Sequence, residues 1–350
     1  MSYGTENSFN DSLDLDYYLH RDDMKNFADS ASRELEESHV CSRILGTGSA
    51  LPERCISNDE LSQHMDTTNE WIHERVGIRQ RYVCTGAEGT TSLAVLAAER
   101  ALEQAKLTGD DIDIVIVGTF TPDNTLPSTA ALVAEKLNIR NAITFDLQAA
   151  CSGFLFGYVT AESLLSSLNK KNALVIGSDT LSRVVDWKDR NTAVLFGDGA
   201  GACVLQRPSQ DASPSVIASY VRTLAEGASL ITCDRPIELN SSSFFEIPDG
   251  NGYNPDPYLR MKGSSVFRSG VQLMASSIFE VLSASGLQVS DVNLFVPHQS
   301  NLRMIQSVAE IVGITDPDVI ATTLDTAGNT SAASIPITLD HYHRSGRIRI

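Results

Sequence analysis

Apolar and polar positions change rhythm along this chain. From Arg43 onward, short runs rich in β-branched residues alternate with longer segments whose apolar positions recur every three or four residues. Strand-like runs fall at 112–118, 142–147, 173–177, 193–196 and 201–205, and helix-like runs at 91–106, 128–137 and 151–168. This alternation predicts an α/β fold.

The pattern then returns. Leu102, Ala105, Leu107 and the run Asp110-Asp111-Ile112-Asp113-Ile114 are echoed, at a constant offset of 180, by Leu282, Ser285, Leu287 and Ser290-Asp291-Val292-Asn293-Leu294. Val133-Ala134-Glu135 recurs as Val308-Ala309-Glu310, and Phe145-Asp146 as Leu324-Asp325. The chain therefore reads as two copies of one unit, at 43–210 and 211–350. Chance likeness of two amphipathic stretches is the plainer alternative. Residues 1–42 precede both copies. The first forty carry ten acids against three bases, with Tyr17, Met24, Ala28, Ala31 and Leu35 at roughly helical spacing, so this extension is expected to be flexible or weakly helical.

Composition narrows the function. With 42% apolar and 20% charged residues the chain is ordinary globular protein. Its apolar runs fall far short of a membrane span, and its acidic opening is unlike a transit peptide, so a cytoplasmic location is expected. A formal charge of −17 argues against nucleic acid and against anionic membrane surfaces. The six cysteines contain no Cys-x-x-Cys pair and read as reduced thiols. His341 and His343 would face different sides of a helix, so no metal is expected.

Candidate chemistry lies in three distant segments. Cys151 ends a strand-like run and opens a helix-like one, where helix N–H groups favour thiolate. His298 follows Val296-Pro297, and Asn329 follows Gly328 at the position of the second copy nearest the Cys151 corner. A cysteine nucleophile suits thioester exchange. A neutral imidazole and a carboxamide supply non-ionising donors, which would hold an enolate oxygen during decarboxylation of a β-carboxy thioester. Taken singly, each has a plain alternative: a small buried thiol, a satisfied core histidine, a turn asparagine.

Six motifs in order carry a resemblance: Ile44-Leu45-Gly46-Thr47-Gly48-Ser49, Asn69-Glu70-Trp71-Ile72, the Cys151 segment, Phe196-Gly197-Asp198-Gly199-Ala200-Gly201, Pro297-His298-Gln299-Ser300-Asn301, and Gly328-Asn329-Thr330-Ser331-Ala332-Ala333-Ser334. From Arg43 to Ile350 the chain resembles the β-ketoacyl-acyl carrier protein synthase III family of condensing enzymes. The resemblance implies a thiolase-like five-layered αβαβα fold of two duplicated halves, a homodimer, and an acyltransferase of fatty acid biosynthesis with no permanently bound cofactor. Coenzyme A thioesters would be substrates. An acyl-CoA primer, acetyl-CoA or similar, would acylate Cys151, and malonyl-acyl carrier protein would then decarboxylate against His298 and Asn329 and condense. The same likeness puts Thr67, Trp71 and Arg75 at the coenzyme A entrance, with Arg190, Gly263, Phe267 and Asn301 farther along it, and Arg268 and Arg303 on the carrier-protein face. An indole can stack on adenine and arginines can neutralise phosphates.

Three departures qualify the resemblance. Family members continue past Arg347-Ile348-Arg349-Ile350 into another strand and a glycine-rich loop, one N–H of which completes an oxyanion hole with that of Cys151; the C-terminal half thus reads as shortened. Loss of such a donor typically costs ~10²–10³ in rate. The stretch 206–259 is longer than usual, and Glu310 and Ile311 stand where docking lysines often sit. Two other functions therefore stay open: acyl transfer to an oxygen or nitrogen acceptor in secondary metabolism, and a truncated non-catalytic paralogue that binds ligand or an intact synthase.

Overall fold

A computed structural model describes residues 42–208, 216–234 and 256–350. The acidic extension lies almost wholly outside the described residues, as do 209–215 and 235–255 within the long 206–259 stretch.

One five-stranded sheet organises the first half. Its strands are β1 (Arg43–Ala50), β2 (Ile114–Gly118), β3 (Ile143–Leu147), β4 (Asn172–Asp179) and β5 (Gly199–Gln206), in the spatial order β1-β5-β4-β2-β3. The pairs β4–β2 and β2–β3 are parallel, whereas β1–β5 and β5–β4 are antiparallel. Central strands with helices on both faces are largely apolar, and every residue of β2 and β4 is buried.

The main helices are α1 (Asn69–Val76), α2 (Thr90–Ala105), α3 (Thr129–Lys136), α4 (Gly153–Ser167), α5 (Gly263–Ser285), α6 (Leu302–Val312) and α7 (Ser334–Arg344). The pleat divides β2 between two cores. Val115 and Val117 meet the alanine face of α2 and Val133 of α3, while Ile114 and Ile116 meet Phe154, Tyr158 and Leu165 of α4. Ile335 and Leu339 of α7 join the second cluster. A separate core joins Val271 and Ala275 of α5 to Met304 and Val308 of α6.

The repeat is visible in local geometry. Asp111 accepts from the Thr108 N–H and Asp291 from the Gln288 N–H, each at 2.8 Å, capping equivalent 3₁₀ turns. After the turns the halves diverge. The first turn leads into β2; the second leads to a single parallel bridge, Phe295 with Ile320. Pro297, which lacks an N–H, closes that run.

The strand expected at 193–196 is corrected. Asp189 accepts from the Asn191 N–H at 3.0 Å and starts a short helix, Arg190–Ala193, leaving only Phe196 bridged, in parallel, to Asn329.

Two glycines set how closely two turns approach the sheet. Gly118 of β2 and Gly177 of β4 are register partners near the ends of their strands. A Cβ on Gly118 would lie 2.5 Å from the Gly153 carbonyl carbon, and one on Gly177 2.2 Å from the Ala332 carbonyl oxygen. Their missing side chains let the start of α4 and the turn before α7 press against the sheet.

Candidate active site

Cys151 occupies a 3₁₀ turn, Ala150–Ser152, between β3 and α4, so the α-helix begins at Gly153 and not at the cysteine. A matching turn, Ser331–Ala333, precedes α7. Each turn opens on a left-handed non-glycine residue, Ala150 with φ 45° and Ser331 with φ 51°. Such strain is held only where packing fixes it. The alignment of turns corrects the expectation for the second copy: the equivalent of Cys151 is Ala332, and Asn329 stands before the turn.

The segment Asn329–Ser334 touches all three candidate groups. Ser331 Oγ donates to Cys151 Sγ at 3.6 Å, and the Ser331 N–H donates to Asn329 Oδ1 at 2.9 Å. Ser334 Oγ lies 2.7 Å from His298 Nδ1. Backbone bonds pin Asn329 further, since its N–H donates to Leu195 O at 2.9 Å and its carbonyl accepts from the Gly197 N–H at 3.0 Å. With Oδ1 occupied, the amide of the buried Asn329 is oriented, and among the described residues its Nδ2 has no partner; neither has His298 Nε2.

Beneath the turn lies Asp179, at the end of β4 and fully buried. One of its oxygens accepts from Thr119 Oγ1, the Phe120 N–H and Thr121 Oγ1, each at 3.0 Å, and the other from the Ala332 N–H at 3.3 Å. Burial raises its carboxyl above the usual range against these bonds. Asp179 thus fastens the second half's turn to the first half's sheet.

Electrostatics revise the thiolate expectation. Part of Cys151 stays accessible, but burial pushes its thiol up to about 11, with the Ser331 hydrogen bond acting the other way and nearby Asp179 adding to the rise. The resting group is a thiol. Burial also pushes the His298 imidazolium down to about 4, so the ring is neutral near pH 7 and serves as a hydrogen-bonding group.

The predicted entrance residues form two groups. Trp71 lies on α1, whose first turn is capped by Thr68 Oγ1, accepting from the Trp71 N–H at 3.1 Å. The guanidinium of Arg190 sits 4.7 Å from the indole centroid and that of Arg75 5.9 Å. Arg190 also donates to Asp66 O at 2.7 Å, so in this structure an arginine covers the ring face expected to receive adenine. Thr67 carries a buried Oγ1 that lacks a partner among the described residues. Gly263 and Phe267 lie on α5, and Asn301 caps α6, accepting from the Met304 N–H at 2.9 Å. Helix α6 packs on α1, with Leu302 and Ile305 beside Ile72 and Trp71. Arg268 and Arg303 are exposed on α5 and α6.

Sequence reading missed the roles of Ser331, Ser334 and Asp179. The two serines were visible as small polar residues just after Asn329 in one motif; Asp179 ends an apolar strand, where a carboxylate with no charged neighbour signals a structural hydrogen-bond hub. Among the described residues no group of three His, Cys, Asp or Glu side chains is arranged to hold a metal, and no helix is long and apolar enough to cross a membrane.

A cysteine with a histidine and an asparagine held about one segment, Asn329–Ser334, is an arrangement suited to acyl transfer of the condensing-enzyme kind. Comparisons with known proteins agree. Residues 145–224 match the model of 3-oxoacyl-[acyl-carrier-protein] synthase III, and residues 282–350 match the model of its C-terminal part. The chain is 44% identical to the beta-ketoacyl-[acyl-carrier-protein] synthase III of Erythrobacter litoralis over 87% of this chain and 91% of that protein, and 40% identical to that of Xanthomonas campestris over 89% and 92%. Crystal structures of the synthase III from Aquifex aeolicus and from Pseudomonas aeruginosa both superpose with a TM-score of 0.79. They are 37% and 35% identical, each covering 88% of this chain, and 92% and 91% of their own. The chain belongs to the 3-oxoacyl-[acyl-carrier-protein] synthase III family. It has the thiolase-like fold and is a condensing enzyme, an acyltransferase of fatty acid biosynthesis.

Proposed function

We propose that this enzyme condenses an acyl-coenzyme A primer with malonyl-acyl carrier protein through an acyl-Cys151 intermediate. Cys151 Sγ attacks the thioester carbonyl, and its proton leaves with the coenzyme A sulfur. The malonyl thioester then loses CO2, and His298 Nε2–H and Asn329 Nδ2–H donate to the enolate oxygen. The resulting carbanion attacks the acyl carbonyl, releasing a 3-oxoacyl thioester and expelling Cys151 as a thiolate, which takes a proton from water to restore the thiol. In this reading residues 43–210 supply the nucleophile and 211–350 both donors. One observation carries it: a single segment, Asn329–Ser334, contacts Cys151 and His298 and leaves Asn329 Nδ2 and His298 Nε2 without a partner among the described residues. A neutral histidine supports the reading, because a weakly acidic N–H steadies an enolate oxygen by a hydrogen bond without quenching it by proton transfer.

Thr67, Trp71, Arg75 and Arg190 are assigned to the nucleotide end of coenzyme A, with Gly263, Phe267 and Asn301 along its pantetheine arm. The buried, unpartnered Thr67 hydroxyl and the two guanidinium groups around Trp71 support this. Adenine stacking on Trp71 requires Arg190 to swing off the ring. Arg268 and Arg303 are assigned to the acidic carrier protein on the strength of their exposure. A homodimer is supported by β3, an edge strand whose outer side is unpaired among the described residues. The unpaired thiols Cys55, Cys84, Cys151, Cys203 and Cys233 fit a reducing cytoplasm.

The test follows acylation and decarboxylation separately. With acetyl-coenzyme A and then malonyl-carrier protein, the protein should gain an acetyl mass on Cys151 and then release CO2 and a 3-oxo product. Cys151→Ala should abolish the mass gain. Asn329→Ala should keep it and lower product formation by ~10²–10³. Mass gain without CO2 would instead favour transfer to another acceptor, and neither event would favour a non-catalytic binding role.

A further inference from the structure

We infer that Ser334 is a positioning residue that holds His298 as the Nε2–H tautomer, aiming its one proton at the substrate. This rests on the reading of His298 as a donor to the enolate. Two groups approach Ser334 Oγ: His298 Nδ1 at 2.7 Å and the Gln299 N–H at 3.4 Å. A backbone N–H only donates, so Oγ accepts from Gln299 and keeps its own proton for another acceptor. Among the described residues the one acceptor in reach is His298 Nδ1, and at 1% exposure Ser334 has no bulk water to turn to. The hydroxyl proton therefore goes to Nδ1. Nδ1 must then be the bare nitrogen, which leaves the ring proton on Nε2.

The surroundings lock this direction in place. Thr338 Oγ1 donates to Ser334 O at 2.8 Å, so the Thr323 hydroxyl, 2.8 Å from Thr338 Oγ1, must donate to it. The Thr323 N–H donates to Gln299 Oε1 at 2.9 Å, and Gln299 Nε2 donates to Pro297 O at 2.8 Å and Ala321 O at 3.3 Å. Gln299 is fully buried. The bonds close a ring through Ser334, Gln299, Thr323 and Thr338, in which each proton has one place to go. Buried networks satisfied in this way are rigid. The residue immediately before Gln299 is His298, so the ring fixes the imidazole's backbone as well as its tautomer.

A hydrogen bond donated to a bare ring nitrogen also opposes its protonation. Ser334 thus assists burial in keeping His298 neutral, and its loss should move the acid limb of the reaction upward in pH.

The experiment uses the full chain with ¹⁵N-labelled histidine. In wild type the His298 signals should show a hydrogen-bonded bare Nδ1 and a protonated Nε2. Ser334→Ala should shift the Nδ1 signal to that of an unbonded nitrogen and slow malonyl decarboxylation about tenfold, the loss of one neutral hydrogen bond. Its acid limb should move up in pH, with Cys151 acylation within about twofold of wild type. Ser334→Thr, which keeps the hydroxyl, should restore the Nδ1 signal and most of the rate. A protonated Nδ1 in wild type overturns the inference, and so does a Ser334→Ala enzyme with unchanged decarboxylation. Failure of the underlying reading looks different: His298→Ala would then decarboxylate as fast as wild type, whichever tautomer the spectra show.

Discussion

The two halves start alike and finish differently. Each has a long helix, a capped 3₁₀ turn with aspartate at the same place, a left-handed residue and a second 3₁₀ turn before a helix that carries site residues or supports them. In the first half the capped turn leads into β2, buried at every position and paired on both sides. In the second it is a run with Phe295 in one bridge and most residues half-buried or exposed. Cys151, the proposed nucleophile, therefore follows a strand of the sheet, whereas the proposed donors are held by side-chain hydrogen bonds and, at Asn329, by one isolated bridge. Gln299, Ser334 and Asp179 do for the donors what strand pairing does for Cys151.

Hydrogen exchange gives the largest test of this contrast. Amides in β2 and β4 should open only with global unfolding, and the Phe295 amide, bonded to Val319 O at 2.8 Å at an isolated bridge, should exchange faster by about a thousandfold or more. Equal protection would show that the second half is as firmly held as the first.

Much of this was legible in the sequence, for physical reasons. The sheet core was readable because Ile114-Val115-Ile116-Val117 and Ala173-Leu174-Val175-Ile176 are apolar on both faces, a pattern only a covered strand tolerates. The corner at Cys151 and the 180-residue echo were readable from changes and repeats in the spacing of apolar residues. The run at 193–196 misled because apolar Val194-Leu195-Phe196 has strand-like composition, while the capping bond from Asp189 that starts the helix Arg190–Ala193, and so leaves 194–195 in a turn, is specific to the folded geometry. The thiol's state misled because the helix start is a local feature and desolvation is a tertiary one. The roles of Ser331 and Ser334 depend on which groups they meet across more than thirty residues of chain, and periodicity holds no record of that.

Glycine replacement gives an intermediate effect that separates the halves. Gly177→Ala puts a Cβ 2.2 Å from a backbone oxygen, that of Ala332, which cannot rotate away. The turn must lift off the sheet, with an expected loss of about 1–3 kcal/mol, read as a lower urea midpoint. Gly270→Ala on α5 meets only the tip of Met304, at 3.1 Å, and gains helix propensity, so its midpoint should stay within about 1 kcal/mol of wild type in either direction. If Gly270→Ala proved the more damaging, packing in the second half would be tighter than its bridges imply.

The smallest effect concerns the bond from Ser331 to Cys151. The Ser331 hydroxyl favours the thiolate of Cys151, while burial and Asp179 oppose it. In wild type, alkylation by iodoacetamide should be slow near neutrality and climb with pH toward about 11. Ser331→Ala removes the hydroxyl that donates to Cys151 Sγ and leaves the backbone N–H on Asn329 Oδ1, so the Asn329 amide stays in place. Alanine at this left-handed position has a precedent in the opposite turn, at Ala150 with φ 45°. The thiol should then titrate higher, and alkylation at pH 8 should slow by about twofold to fivefold, as for a weak hydrogen bond. Ser331→Gly, free of the backbone strain, should show the same slowing; if either variant reacts faster than wild type, the hydroxyl is shielding the sulfur and not stabilising its charge.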